Sequence, residues 1–370
     1  MIRDLGPIQP RTVASEANER VITIGRHKIS DETDAFVIAE IGHNHQGSLE
    51  KAKELFQSAH MAGAHAVKLQ KRHNKTLFTR SFYDKPYENE NSFGSTYGRH
   101  REALEFGRRE YGELADLAKK LKMEFIVTAF DLRSVDFLLE FELSAYKIAS
   151  GDLKTIPLIR RVARLGKPVI LSSGGGSMDE IRRACHEVLE VNPHLVLLHC
   201  VATYPNLAHE LNLHMITTLR EEFPAVVIGL SDHYNGIAMA PVAYVLGARV
   251  FEKHFTMNRA WKGTDQAFSL EPIGLHKMLR DLRRTREALG DGVKRILPQE
   301  SEAIRKMGKS LVAARDMPAG KVLRKADIAM KSPGTGVDPS HFDAFLGKRT
   351  SRTLQADEFL SLDAIELDGA

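Results

Sequence analysis

The sequence predicts an α/β protein: a (β/α)8 TIM barrel over residues 35–290, followed by a small, mostly-β module over residues 309–370. Three observations carry this reading. From residue 35 onward, eight short β-branched runs alternate with stretches of helical period. Polar and charged residues gather at or just past the C-terminal ends of those runs. Past residue 291 the rhythm stops, and Pro–Gly turns replace long helices.

Residues 1–34 read as an N-terminal extension whose "VITIGRHKI" forms a short hairpin. The barrel strands follow as "FVIAE" (36–40), "AVKLQ" (66–70), "EFIVTAF" (124–130), "AYKIAS" (145–150), "PVILSS" (168–173), "LVLLHC" (195–200), "VVIGLSD" (226–232) and "RVFEKHF" (249–255). Between them, segments such as "SLEKAKELFQSAHMAGA" and "SMDEIRRACHEVLEV" carry apolar residues at helical spacing, and each opens on a Ser able to cap exposed amides. A doubly wound open sheet would show the same alternation. The polar residues decide for the barrel: Glu40, Lys68, Gln70, Thr128, Lys147, Ser150, Ser172, His199, Ser231, His233, Glu252 and His254. In a barrel these strand ends converge on one rim, whereas an open sheet spreads them along an edge.

Residues 71–105 form a long polar connection after the second strand. Its aromatics Phe78, Phe82, Tyr83, Tyr87, Phe93 and Tyr97 predict an ordered lid. Residues 291–308 read as a linker to the module of about 60 residues, near the lower limit for independent folding.

Charge and cysteine usage bound the function. With 52 basic against 48 acidic residues, the chain is too balanced to argue for nucleic acid, though a local basic pocket remains possible. Cys185 and Cys200 are too few for a disulfide framework. No run approaches about 18 apolar residues, and the N-terminus lacks a signal-peptide core, so a cytoplasmic enzyme without a membrane partner is expected.

Lys68 and Lys147 come from different strands, with Ser150, Ser172 and Ser231 near them. Such a set can cradle a compact anion, although either lysine can also serve an ion pair or a Schiff base. His233 and His254 end consecutive strands, which lie about 4.8 Å apart, so both imidazoles can reach one divalent cation. Ordinary hydrogen-bonded histidines are the alternative. His43 and His45 sit in a Gly-flanked loop, where positioning within the turn is expected rather than a metal site. "SSGGG" (172–176) can present amides to an anion but lacks the lysine of a P-loop. Cys200 reads as a core cysteine.

Together these residues resemble the sialic acid (N-acetylneuraminate) synthase family. "AEIGHNHQGSLEKAKEL", "AVKLQK", "YKIASGD", "ILSSGG", "IGLSDH" and "FEKHFT" stand in that family's order and spacing. The tail resembles its C-terminal SAF domain, related to type III antifreeze proteins. "LQKRHNKTLFTR", "PYENENSFGSTYGRHREALEF" and "WKGTDQAFSLEP" resemble the animal branch, which uses N-acetylmannosamine 6-phosphate and makes sialic acid 9-phosphate. Many bacterial members use the unphosphorylated sugar.

The resemblance implies a transferase that condenses phosphoenolpyruvate (PEP) with the open-chain aldehyde of a mannosamine, assisted by a divalent metal such as Mn2+ or Mg2+. It implies PEP on Lys68, Thr128, Lys147, Ser150, Ser172 and Ser231, and the metal on His233 and His254. Glu40 would move a proton or position water, completing a catalytic set with Lys68, Lys147, His233 and His254. Asn44, His45, Gln70, Asp152, Tyr204 and Asp265 would hold the sugar. It also implies a domain-swapped homodimer in which each SAF domain caps the partner's barrel.

Several residues depart from the family pattern. In E-I-G-x-N-H-x-G, His43 falls on the variable position. Asp152 stands where bacterial members commonly have Glu, which again resembles the animal type. Ala202 replaces an Asn that contributes to PEP phosphate binding. Ser332 replaces an Arg that reaches the sugar's acetamido group in a partner's active site, so mannose 6-phosphate or a differently modified hexosamine is an alternative substrate; free N-acetylmannosamine, as in the bacterial type, is a further one. The lid residues Lys71, Arg72, Lys75 and Arg80 are candidates for a sugar phosphate. A Schiff-base lyase using Lys68 or Lys147 and a non-catalytic carbohydrate-binding relative are the competing classes; the nearly complete polar rim argues against the second.

Overall fold

The computed structural model describes residues 20–366. The first 19 residues of the expected N-terminal extension lie outside the described residues. The chain divides into two compact units, one ending at Gly290 and one beginning at Asp291.

The first unit opens with the antiparallel hairpin β1 (Val21–Ile24) and β2 (His27–Ser30). Eight parallel strands follow: β3 (Phe36–Gly42), β4 (Ala66–Lys71), β5 (Glu124–Ala129), β6 (Ala145–Ile148), β7 (Val169–Ser172), β8 (Leu195–Cys200), β9 (Val227–Asp232) and β10 (Val250–His254). They close into a barrel in sequence order, with β10 pairing back onto β3. Closure settles the choice against an open sheet.

Period-two alternation sorts the side chains. Val37, Ala39, Val67, Leu69, Val127, Leu171, Leu197 and Phe251 face the helical layer. Phe36, Ile38, Ala66, Ile126, Ala145, Ile170, Val196, Leu198, Val227 and Val250 fill the barrel interior, where Ile22, Ile24 and Ile29 of the hairpin join them. The hairpin therefore plugs the N-terminal end of the barrel. Ile24 is fully buried, and such a side chain contributes about 1.5–3 kcal/mol.

Capping signals place the helices. Ser48 accepts from the Lys51 N–H at the start of helix Leu49–Ala62, which ends where Gly63 turns to φ 96°. Ser177 and Glu180 form a reciprocal capping box on helix Met178–Leu189.

The connection after β4 is ordered. It holds short helices at Asn74–Leu77, Arg80–Tyr83 and Tyr97–Ala103, knotted by aromatic contacts. The Tyr97 ring lies 5.1 Å from Phe78, 4.6 Å from Phe82 and 5.4 Å from Tyr87. Gly98 is required here, because a Cβ would sit 2.3 Å from the Tyr83 ring.

The second unit contains the stretch read as a linker, which carries a helix at Ser301–Met307. Antiparallel strands β11 (Ser310–Ala313) and β12 (Ile328–Lys331) and isolated bridges enclose a core of Leu311, Met317, Leu323, Phe345, Leu354 and Leu360. Among the described residues, no helix is long and apolar enough to cross a membrane.

Candidate active site

One residue pair beyond the apolar interior layer, the same strand faces turn polar. Ile38 is followed by Glu40, Ala66 by Lys68, Ala145 by Lys147 and Val250 by Glu252. These side chains floor a cavity of about 510 Å³ at the C-terminal mouth of the barrel. Lys68 and Lys147 are 2% and 3% exposed. Lys68 Nζ lies 2.8 Å from Glu40 Oε2 and 3.6 Å from Glu252 Oε1, and donates to Thr128 Oγ1 at 2.9 Å. Lys147 Nζ lies 3.9 Å from Glu252 Oε1.

The two ammonium groups are tuned in opposite directions. Burial alone would depress Lys68, but Glu252 and Glu40 outweigh it and raise its pKa. Burial wins at Lys147, whose pKa is lowered with Lys68 pushing the same way. Ser231 Oγ donates to Glu252 Oε1 at 3.2 Å, and Gln70 Nε2 donates to Glu40 Oε1 at 2.6 Å. Ser172 Oγ is buried with no hydrogen-bond partner, a donor left for something in the cavity.

His233 and His254 stand together on the wall, ring centroids 5.4 Å apart. The Val201 carbonyl accepts from His233 Nδ1 at 3.1 Å, which leaves the Nε2 lone pair free. Burial, then His254, lowers the His233 pKa to about 3, keeping the ring in its neutral, ligating form. His254 Nδ1 is buried without a hydrogen bond, 3.7 Å from Asp265 Oδ2. The neutral His233 ring beside the orphaned His254 ring nitrogen fits a divalent ion. Among the described residues no group of three or more His, Cys, Asp or Glu is assembled to hold one, so further coordination positions would fall to water and substrate.

The other expected residues are placed as follows. Thr128, Ser150, Gln70, Tyr204 and Asp265 line the cavity, and the Tyr204 ring lies 4.1 Å from that of His233. Asn44 is a strut: Nδ2 donates to the Phe255 carbonyl and to Ser269 Oγ, both at 2.9 Å. His45 stacks on Phe106 at 4.1 Å and accepts from the Gly47 N–H. Asp152 accepts from Thr155 Oγ1 at 3.1 Å, and burial raises its pKa to about 6. None of these three lines the cavity. His199 points outward, its Nε2 donating to the Leu211 carbonyl at 2.7 Å.

Cys200, read as a core cysteine, is buried but faces the cavity, where Sγ accepts from Ser150 Oγ at 3.4 Å. Among the lid cations, Arg72 lines the cavity. Lys71 turns away to Glu105 at 3.0 Å, while Lys75 and Arg80 are exposed. Sequence reasoning missed Arg101, which reaches the cavity from helix Tyr97–Ala103; an arginine on an irregular lid follows no strand or helix period that would single it out.

A closed barrel whose mouth gathers buried lysines, hydroxyls, carboxylates and a metal-compatible histidine pair defines an enzyme that handles a compact anionic substrate. Residues 55–294 match the NeuB family and residues 308–366 the SAF domain, so the chain belongs to the NeuB family and is a transferase of its synthase type. It is 36% identical to N-acetylneuraminate-9-phosphate synthase of Mus musculus, over 90% of this chain and 92% of that protein. N,N'-diacetyllegionaminic acid synthase of Campylobacter jejuni is 34% identical over 88% and 98%. Among solved structures, the N-acetylneuraminic acid synthetase of Leptospira borgpetersenii superposes with a TM-score of 0.67 at 33% identity, covering 77% of this chain and 95% of that one.

Proposed function

We propose that the protein condenses PEP with the open-chain aldehyde of a mannosamine 6-phosphate, forming a nonulosonic acid 9-phosphate and releasing inorganic phosphate. The observation that carries this reading is the convergence of Lys68, Lys147 and the unpartnered Ser172 hydroxyl with the His233–His254 pair in one cavity. PEP lies on Lys68, Lys147, Thr128, Ser150, Ser172 and Ser231. Its C3 attacks the aldehyde carbon, which forms the new C–C bond while the aldehyde oxygen takes a proton. Water adds at PEP C2, and cleavage of the C2–O bond expels phosphate and leaves the keto group. Glu40, held by Lys68 and Gln70, is placed to take the proton from that water. His233 and His254 would hold a divalent ion, Mn2+ or Mg2+, which when bound would supply Lewis acidity toward a carbonyl oxygen. Gln70, Tyr204 and Asp265 orient the sugar. Asn44, His45 and Asp152 act behind the cavity wall. The active assembly is a homodimer with exchanged SAF domains.

The test is phosphate release from PEP with mannose, N-acetylmannosamine and the 6-phosphate of each, with and without EDTA. Release with a 6-phosphate, abolished by EDTA and restored by Mn2+, is expected. Release with free sugars alone would move the substrate to the unphosphorylated class. The lowered pKa of buried Lys147 also suits an amine nucleophile, so a Schiff-base lyase is the second reading. Borohydride trapping with a 2-ketoacid, insensitive to EDTA, would install it instead.

A further inference from the structure

The cavity floor is neutral by count: Lys68 and Lys147 are matched by Glu40 and Glu252. The other charged side chains of the cavity are Arg72, Arg101 and Asp265, which leaves one positive charge in surplus, carried by the arginines. Arg72 is 9% exposed, with its guanidinium 3.6 Å over the Phe130 ring and Nη1 3.1 Å from His43 Nε2. Arg101 brings Nη1 to 3.1 Å from His43 Nδ1, while its Nε and Nη2 donate to Tyr97 Oη at 3.1 and 3.0 Å. Among the described residues, neither guanidinium has a carboxylate within ion-pair distance. Glu105 sets Oε2 3.0 Å from Lys71 and Oε1 3.8 Å from His43 Nε2, and Asp265, on the cavity wall, acts on Arg101 and His43 from longer range.

The residue between the two arginines sharpens the point. His43 is buried, and burial together with Arg72 and Arg101 keeps it neutral. A neutral imidazole offers a single lone pair, so it can accept from only one of the two guanidiniums that approach it. The cluster is left with more donors and more positive charge than its own residues can satisfy. Both arginines face the cavity.

Topology separates this cluster from the hydroxyl donors. His43 follows β3, and Arg72 and Arg101 follow β4. Ser150 follows β6, while Ser172 and Ser231 end β7 and β9, on the other arc of the barrel. The cavity thus has two anion-binding poles. Resting on the synthase reading above, we infer that Arg72 and Arg101, spaced by His43, form the subsite that grips the phosphate end of the sugar and selects a phosphorylated over a free aldose. A phosphate dianion supplies the acceptors that the two forks lack.

The experiment uses the full chain with Mn2+, comparing wild type, Arg101→Met, Arg101→Lys and Arg72→Met. Condensation kinetics would be run on N-acetylmannosamine and its 6-phosphate, and calorimetry would measure binding of mannose 6-phosphate against mannose. Arg101→Met is expected to raise KM for the sugar phosphate about 10- to 100-fold and leave KM for PEP within about two-fold. The preference for phosphorylated over free sugar should collapse, with Arg101→Lys recovering part of it and Arg72→Met matching Arg101→Met. An equal rise in both KM values, or an unchanged preference, would overturn the inference. If no sugar turns over, calorimetry still decides: tighter binding of mannose 6-phosphate than mannose, lost in both Met variants, upholds the subsite even though the synthase reading fails. Equal binding of the two sugars by the wild type removes the subsite whatever the reaction.

Discussion

Glu40 and Lys68 are register partners on adjacent strands, with Oε2 and Nζ 2.8 Å apart and both side chains almost fully buried. Glu252 approaches the same ammonium from the far side of β3, at 3.6 Å. Lys68 is therefore a bridge between two carboxylates. At Glu252, Lys147 and then Lys68 outweigh burial and hold the carboxylate ionised.

Glu252 is the more sensitive end of that network. Burial opposes its ionisation, yet Lys147 and Lys68 overcome it and hold the pKa near about 2. Glu252→Gln should leave two buried ammonium groups with one carboxylate, costing about 3–5 kcal/mol of stability. Urea denaturation at pH 7.5 would read this.

For His233→Ala and His254→Ala, the expected outcome is a specific loss of metal binding. Supporting residues of metal ligands typically cost about 10- to 100-fold in affinity, and removing one of only two ligands should cost more. Titration of Mn2+ followed by electron paramagnetic resonance would show it. An unchanged urea midpoint would separate ligand loss from misfolding.

His65 sets a pH dependence at the other end of the barrel. Its Nδ1 accepts the Val37 N–H at 3.0 Å, and burial, assisted by His27, lowers its pKa to about 4. Because the folded value lies below the unfolded one of about 6.5, the unfolded chain takes the proton first. This contribution is intact above about pH 7, falls as pH drops through 6.5, and levels off below about 4. The full loss is on the order of 3 kcal/mol. Urea midpoints from pH 8 to 4 should fall more steeply for the wild type than for His65→Gln.

Ile24→Ala tests the plug. Opening a cavity at a fully buried isoleucine should cost about 2–5 kcal/mol. Turnover at a temperature where the variant stays folded should be unchanged within about two-fold, since the hairpin packs at the opposite end of the barrel from the polar cavity.

Much of this architecture was legible in the chain because a strand displays its burial with period two. Ile38 then Glu40, and Val250 then Glu252, mark where an apolar interior gives way to a polar mouth. The same parity separates residues that proximity to a strand end alone confuses. His199 alternates with Leu198 and Cys200, so it faces the helices while Cys200 faces the cavity. The arginine cluster was harder to read. Arg72, His43 and Arg101 lie on loops and a short lid helix, where direction depends on tertiary contacts such as the Phe130 and Tyr97 rings. Asn44 shows the converse: a polar residue beside a site whose amide is spent holding a loop.

The aromatic knot is built from one uninterrupted stretch of chain, Phe78 to His100, with Arg101 directly after it. In genetic terms the lid is a cassette. It can be exchanged by one recombination event while the strands that pair Glu40 with Lys68 keep their register. Such an arrangement lets the lid change over evolution as a unit, apart from the strands that carry Glu40, Lys68, Lys147 and Glu252.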